Sequence, residues 1–328
     1  MIQILTYNEI NKQQWQLLIE QSATATWFQT PEAYQFYASV DDVQAFVYGI
    51  SEDDNLVGLV VGYTTTEKCK VKQHFTARSI IVGGPLLADI ISDEALATLL
   101  KAIRRLGDKA IYVETRNFHD YSKWKSIFEA NGFTYQPHYD IHVHCSAQHQ
   151  MSERRLRELR KAIKNDATVA QAQSEQEIRD WYQILSRLYR EKVRTPLFSE
   201  DFFLQFYRNG VGKYLLVKHE DKIIGGMMCP VLDSIAIYEW YVCGLDEEYK
   251  DLYPSVVATH AAIEYAKTNG LPLFDFMGAG EPEIPYGVRD FKMEFGGELK
   301  EYGRFLCIRK PLLYRIGKMG VKWLKNKR

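Results

Sequence analysis

This chain lacks any run of about 18 apolar residues, so nothing in it is expected to span a membrane. Its N-terminus, MIQILTYNEINKQQW, has no basic segment followed by an apolar core, which argues against a signal peptide. The five cysteines (Cys69, Cys145, Cys229, Cys243 and Cys307) are scattered and include no CxxC pair. That spacing excludes a zinc ribbon or a disulfide framework and points to reduced thiols in a cytoplasmic setting. A formal net charge of -1 removes any whole-molecule pull on nucleic acid or membrane. What remains is an ordinary globular composition, 46% hydrophobic and 25% charged. At 328 residues the chain has room for two domains of about 150 residues each.

The hydrophobic pattern reads as two similar halves. In the first, Ile2 to Leu5 makes a strand, and Asn11 to Gln21 makes a helix with Trp15, Leu18 and Ile19 inward. Thr30 and Pro31 suit the start of a second helix, as cap and first-turn residue. Ala45–Ile50 and Leu56–Thr64 form a hairpin, Ser79–Pro85 a strand entering a Gly-Gly-Pro turn, and Asp93–Leu106 a helix. Tyr139–His144 reads as the last strand of this half. His138, His142, His144 and His149 crowd it, but no carboxylate or cysteine partner is visible, so no metal site is expected.

The second half opens with ERRLRELRKAIKN, a basic helix with Leu156, Leu159 and Ile163 inward and six cations around them. A long helix, Gln176–Glu191, is broken at Arg194-Thr195-Pro196. A second hairpin, Lys213–His219 with Lys222–Pro230, leads to the aromatic run Tyr238-Glu239-Trp240-Tyr241. Helix Val256–Thr268 follows, and Glu298–Ile308 is the final strand. Between them lies Phe274–Gly297, FDFMGAGEPEIPYGVRDFKMEFGG, a buried strand running into a Gly/Pro-rich loop that ends in cations and aromatics. Loops of that composition are costly to order and often carry function.

This last segment resembles the signature of the Fem-type peptidoglycan branching aminoacyltransferases. The resemblance rests on Phe274-Asp275-Phe276-Met277-Gly278, then Gly287-Val288, then Phe291-Lys292-Met293-Glu294-Phe295-Gly296-Gly297. Trp27-Phe28-Gln29-Thr30, the Gly-Gly-Pro turn and the basic helix are also similar to the family. The resemblance implies an α/β fold of two GNAT-like domains, each a mixed, mostly antiparallel sheet flanked by helices. The domains are expected at 1–148 and 149–309, followed by a basic amphipathic tail at 310–328. Unlike some family members, this chain has no long charged helical hairpin inserted in its second domain.

By position the resemblance makes Lys292 and Phe291 the catalytic and donor-binding pair, with Lys292 expected to line the cleft between the halves. It assigns Arg194 to the acceptor. Tyr238, Tyr241 and Arg289 are further substrate-binding candidates, strand register deciding which tyrosine faces the ligand. The implied reaction forms an amide on an amine acceptor, a peptidoglycan precursor peptide, with aminoacyl-tRNA as donor and no bound cofactor or metal. Two alternatives stay open: an acyl-coenzyme A-dependent N-acyltransferase, and a non-catalytic GNAT-like ligand-binding protein. Against coenzyme A, the place of the pyrophosphate loop reads Glu247-Glu248-Tyr249-Lys250-Asp251-Leu252-Tyr253, with acids and no glycine. Residues 310–328 carry seven cations and no acid, leaving -8 on the rest. Leu312, Leu313, Ile316, Trp323 and Leu324 are expected on one helical stripe, which would let the tail touch the inner face of a membrane.

Overall fold

The computed structural model describes residues 1–65, 76–106, 110–145 and 150–326. Cys69, His149, the predicted boundary at 146–149 and the side chains of Trp323 and Leu324 lie outside the described residues. The chain divides into two compact units, one made of Met1–Pro137 with Tyr302–Arg328, the other of His138–Glu301. Each unit is a mixed, mostly antiparallel sheet flanked by helices, the tandem GNAT-like arrangement expected.

In the first unit the strands are β1 (Ile2–Leu5), β2 (Val43–Glu52), β3 (Asn55–Thr65), β4 (Ser79–Gly83), β5 (Leu86–Leu87), β6 (Tyr112–Asn117) and β7 (Thr134–Gln136). Next in sequence comes β8 (Tyr139–His144), which pairs in the second sheet. The second unit continues with β9 (Thr168–Gln171), β10 (Gly212–His219), β11 (Lys222–Leu232), β12 (Ala236–Tyr238), β13 (Tyr241–Gly244), β14 (Leu273–Asp275) and β15 (Glu298–Glu301). The last strand, β16 (Arg304–Ile308), returns to the first sheet.

The first sheet runs β1-β2-β3-β4-β6-β16-β7, with β5 on β3. The second runs β9-β10-β11-β12-β14-β8-β15, with β13 on β11, the same order strand for strand. In each sheet one pair is parallel, β4 with β6 and β12 with β14. A parallel pair needs a crossover, and helices Asp93–Leu106 and Pro254–Thr268 supply it. Their apolar faces, Leu96, Leu99 and Ile103 in one and Val257, Ala262 and Ile263 in the other, fill the two cores.

Three expectations differ from the structure. The units divide at residue 138, not 148, and β16 belongs to the first unit. A linear reading assigns a strand to its sequence neighbours, whereas β8 hydrogen-bonds to β14 and β15, and β16 to β6 and β7. The expected strand Glu298–Ile308 is split at Tyr302-Gly303, where Gly303 takes φ +65°. Ile163 is not inward but 60% exposed; Arg155 is buried in that helix instead.

Candidate functional site

Strand β14 delivers Asp275 and Phe276 to a turn that few sequences could make. Met277 has φ +56° and Gly278 φ +123°, so the chain passes through left-handed backbone at two successive residues. Buried charge holds that turn. Asp275 accepts from the Met277 N–H at 2.6 Å and Asp140, on β8, from the Gly278 N–H at 2.8 Å. On the carbonyl side, the Lys292 ammonium donates to Phe276 at 2.8 Å and Gly278 at 2.9 Å. Its third bond goes to Glu239 Oε1 at 3.0 Å. All three ammonium protons are therefore committed within the second unit, and Lys292 is buried.

Arg289 is occupied in a similar way. Its guanidinium donates to the carbonyls of Ala279, at 2.7 Å, of Glu281, and of Ile284, at 3.3 Å. It thereby fixes the loop between the turn and the short helix Gly287–Met293, and packs over the Tyr139 ring at 4.9 Å. Gly280, at φ +82°, has no room for a side chain: a Cβ would stand 2.9 Å from the Tyr286 ring. Phe291 packs on Phe295 at 5.2 Å, and the Arg155 guanidinium lies 4.3 Å from its centroid. Arg155 also pairs with Glu294 and Glu158, at 2.6 and 2.5 Å. The basic helix Glu153–Lys164 is thus anchored to the motif by its one buried cation. Arg157, Arg160 and Lys164 remain exposed on it.

Below the turn, His142 Nε2 lies 3.3 Å from Asp275 and 3.8 Å from Asp140. His142 and Asp275 are direct cross-strand partners, and Asp140 is two residues along the same face of β8. Burial and the nearby Asp275 push the Asp140 carboxyl above the usual carboxylate range, against the pull of His142 and two N–H donors. Burial alone would lower His142, but the two carboxylates outweigh it and raise it. Burial also raises Glu239, with Lys292 pulling it back. Asp140, His142 and Asp275 offer ligand atoms within 4.8 Å of one another, so they are the described residues that could hold a cation. The sequence reading missed these carboxylates because cross-strand register brings them to His142, and register is not visible in spacing alone.

Of the remaining predicted residues, one adjoins this cluster and the others do not. Tyr238 is 1% exposed on β12 beside Asp275. Tyr241 is half-buried on β13, its ring edge-on to Phe203 at 5.0 Å. Arg194 is exposed at the end of the Tyr189–Val193 turn, in left-handed backbone at φ +56°. A 710 Å³ depression in the second unit, lined by Arg187, Arg190, Lys222 and Glu248 among others, includes none of the six predicted residues.

The resemblance to GNAT-like domains would put a pyrophosphate, if one bound, at the N-terminus of helix Pro254–Thr268. There Asp246 accepts from both the backbone N–H and the hydroxyl of Ser255, at 3.1 and 2.5 Å. Nearby, Glu247 pairs with Lys192 at 2.5 Å, and Glu248 with Arg187. In the first unit the corresponding helix, Asp93–Leu106, starts with Asp93 and Glu94 and is capped by Ser92.

Residues 147–293 match the family described as Acetyltransferase (GNAT) domain. No curated protein matches the chain by sequence. Among solved structures, FemX is similar over 96% of this chain and 99% of its own, at 14% identity and a TM-score of 0.69. A tandem GNAT protein from the clavulanic acid biosynthesis pathway is similar over 94% of this chain and 98% of its own, at 10% identity and a TM-score of 0.61. L-PGS from Bacillus licheniformis covers 92% of each chain at 13% identity and a TM-score of 0.59. At such identities these likenesses establish the shared fold. The second unit in addition carries the sequence pattern of a GNAT acyltransferase domain.

Proposed function

We propose that this GNAT-superfamily acyltransferase forms an amide by moving an aminoacyl group from aminoacyl-tRNA to an amine acceptor, a peptidoglycan precursor peptide. The observation that carries this reading is the Asp246 cap on helix Pro254–Thr268. A coenzyme A pyrophosphate needs free N–H groups at that helix N-terminus. Here the Asp246 carboxylate already accepts from the first of them, the Ser255 N–H, and from the Ser255 hydroxyl, and it would repel a second anion. Fem-like sequence features at Phe274–Gly297 and the likeness to FemX support the choice of donor and acceptor. The amine nitrogen attacks the ester carbonyl carbon, the ester C–O bond breaks, and the ribose hydroxyl leaves carrying a proton.

In this reading Lys292 serves the reaction chiefly by position. It holds the Phe276–Gly278 carbonyls, and with them the exposed loop that Arg289 shapes. Phe291 is proposed to bind at the donor end, and Tyr241 and Arg194 at the acceptor, with Tyr238 supporting them from the interior. The test offers purified full-length protein charged tRNAs with a soluble precursor peptide, and separately acetyl- and longer acyl-coenzyme A with the same peptide. Transfer from charged tRNA alone supports the proposal. Transfer from an acyl-coenzyme A alone overturns the donor, and no transfer from either favours a non-catalytic binding protein.

A further inference from the structure

We infer that the C-terminal helix, Pro311–Asn326, is a surface element that docks on an anionic lipid bilayer. Leu312, Ile316 and Met319 are 74%, 63% and 68% exposed, among the most exposed large apolar side chains described in the chain. Spaced by four and then three residues, they fall within about 60° of one helical face. Trp323 continues the same spacing in sequence. Such a stripe in water is unfavourable unless something covers it.

The other side of the helix is tethered to the first unit. Tyr314 packs edge-on against Tyr112 at 5.6 Å, and the Arg309 and Lys310 N–H groups donate to Ile111 O at 2.9 and 3.0 Å. The exposed stripe therefore faces away from its own anchor. Arg315 stands beside the stripe, exposed and without an ion pair among the described residues, while Lys318 lies toward the anchored side, its ammonium 5.6 Å over the Tyr314 ring. From Tyr302 to Arg328 the sequence contains no acid at all.

These facts together select the occupant. Nucleic acid would satisfy the cations and leave Leu312, Ile316 and Met319 in water. A second copy of the helix would cover the stripe but bring like charges together. An anionic bilayer takes both: the apolar side chains enter at the acyl boundary while the flanking Arg315 reaches the headgroups and the acid-free tail adds no repulsion. Gly317 and Gly320 weaken the helix by itself, so contact with the surface would also order it.

The experiment is sedimentation of the full-length protein with vesicles of phosphatidylcholine alone, or of phosphatidylcholine mixed with phosphatidylglycerol. It does not depend on acyl transfer, so it can fail while the proposed activity stands, and the reverse. Expected are at least tenfold tighter binding to the anionic vesicles, weakening as salt rises, and loss of most of it in Ile316→Gln/Met319→Gln. Both residues are exposed, so the double variant should keep the wild-type fold by circular dichroism. Equal binding to both vesicle types, or anionic binding unchanged in the variant, overturns the inference. So does concentration-dependent self-association that the variant abolishes without any vesicle binding, because it assigns the stripe to a second copy.

Discussion

The two units share one strand order, and each buries an ionic cluster on the same strand pair, β6 with β16 in the first and β14 with β8 in the second. The clusters have opposite balances. In the first, Glu114 is held by Arg304 at 2.9 Å and Arg116 at 3.3 Å, two cations to one acid. Burial alone would raise Glu114, yet the two arginines outweigh it and hold the carboxyl at about 2. In the second, Asp140 and Asp275 share one histidine, and burial pushes Asp140 the other way. The first cluster spends its charges on itself. The second extends, through Met277, Gly278 and Lys292, to a strained turn and an exposed loop. One fold, used twice, thus carries a static brace in one copy and a support for the candidate site in the other.

Removing the brace gives the largest expected effect. Glu114→Leu leaves two arginines facing each other across β6 and β16, and because both guanidinium side chains keep some contact with solvent the cost is expected at the low end of a buried pair, about 3 kcal/mol. Chemical denaturation of the full chain, followed by hydrogen exchange on β6, measures it. A loss under about 1 kcal/mol would mean the arginines find solvent, and the contrast between the clusters would lapse.

The second unit's counterpart should show in turnover before stability. Lys292→Met frees the Phe276 and Gly278 carbonyls and strands Glu239, and turnover is expected to fall on the order of a hundredfold or more. Adding Glu239→Leu should restore stability by removing the stranded charge, without restoring turnover. Wild-type turnover in a folded Lys292→Met protein would remove this residue from the mechanism.

These two residues also show what could be read from the sequence. Periodicity gave helix Asp93–Leu106 to the residue, and Thr30 does cap its helix, because both signals are local. The tandem architecture was legible for the same reason. The Phe-Lys pair was visible as a motif, but not that the lysine's protons are all spent inside the second unit. Asp140 gave no signal, since its importance arises from a residue 135 positions away that register places beside it. The exchange of β8 and β16 was hidden because pairing partners are a property of the sheet, while each strand's own alternation is the same in either.

The opposite balances predict opposite pH limbs. Glu114 is depressed on folding, so its contribution is full above the ordinary carboxylate pKa and is lost as pH falls toward about 2. His142 and Asp140 are raised, so their contributions are present at low pH and are lost as pH rises through the raised values. Hydrogen exchange across pH should therefore show β6 loosening first in acid and β14 first in alkali. Glu114→Gln should flatten the acid limb and Asp140→Asn the alkaline one. Identical pH profiles for the two strands would contradict the assignment.

The smallest effect belongs to a residue outside both clusters. Arg194 is exposed, and among the described residues its side chain makes one long contact, Nε to the Glu191 carbonyl at 3.3 Å. Nothing in the fold depends on it, so Arg194→Lys should change stability by less than about 0.5 kcal/mol. If it grips an anionic acceptor, the same change should raise the acceptor KM about tenfold while kcat stays near wild type, because lysine lacks the planar fork. Its backbone sharpens the test. At φ +56° a residue with a side chain pays about 1 kcal/mol that glycine does not. Arg194→Gly should then fold slightly more stably and bind the acceptor worse, a combination that separates binding from structure. Unchanged acceptor KM in both variants would show that the left-handed position is only a chain break between two helices.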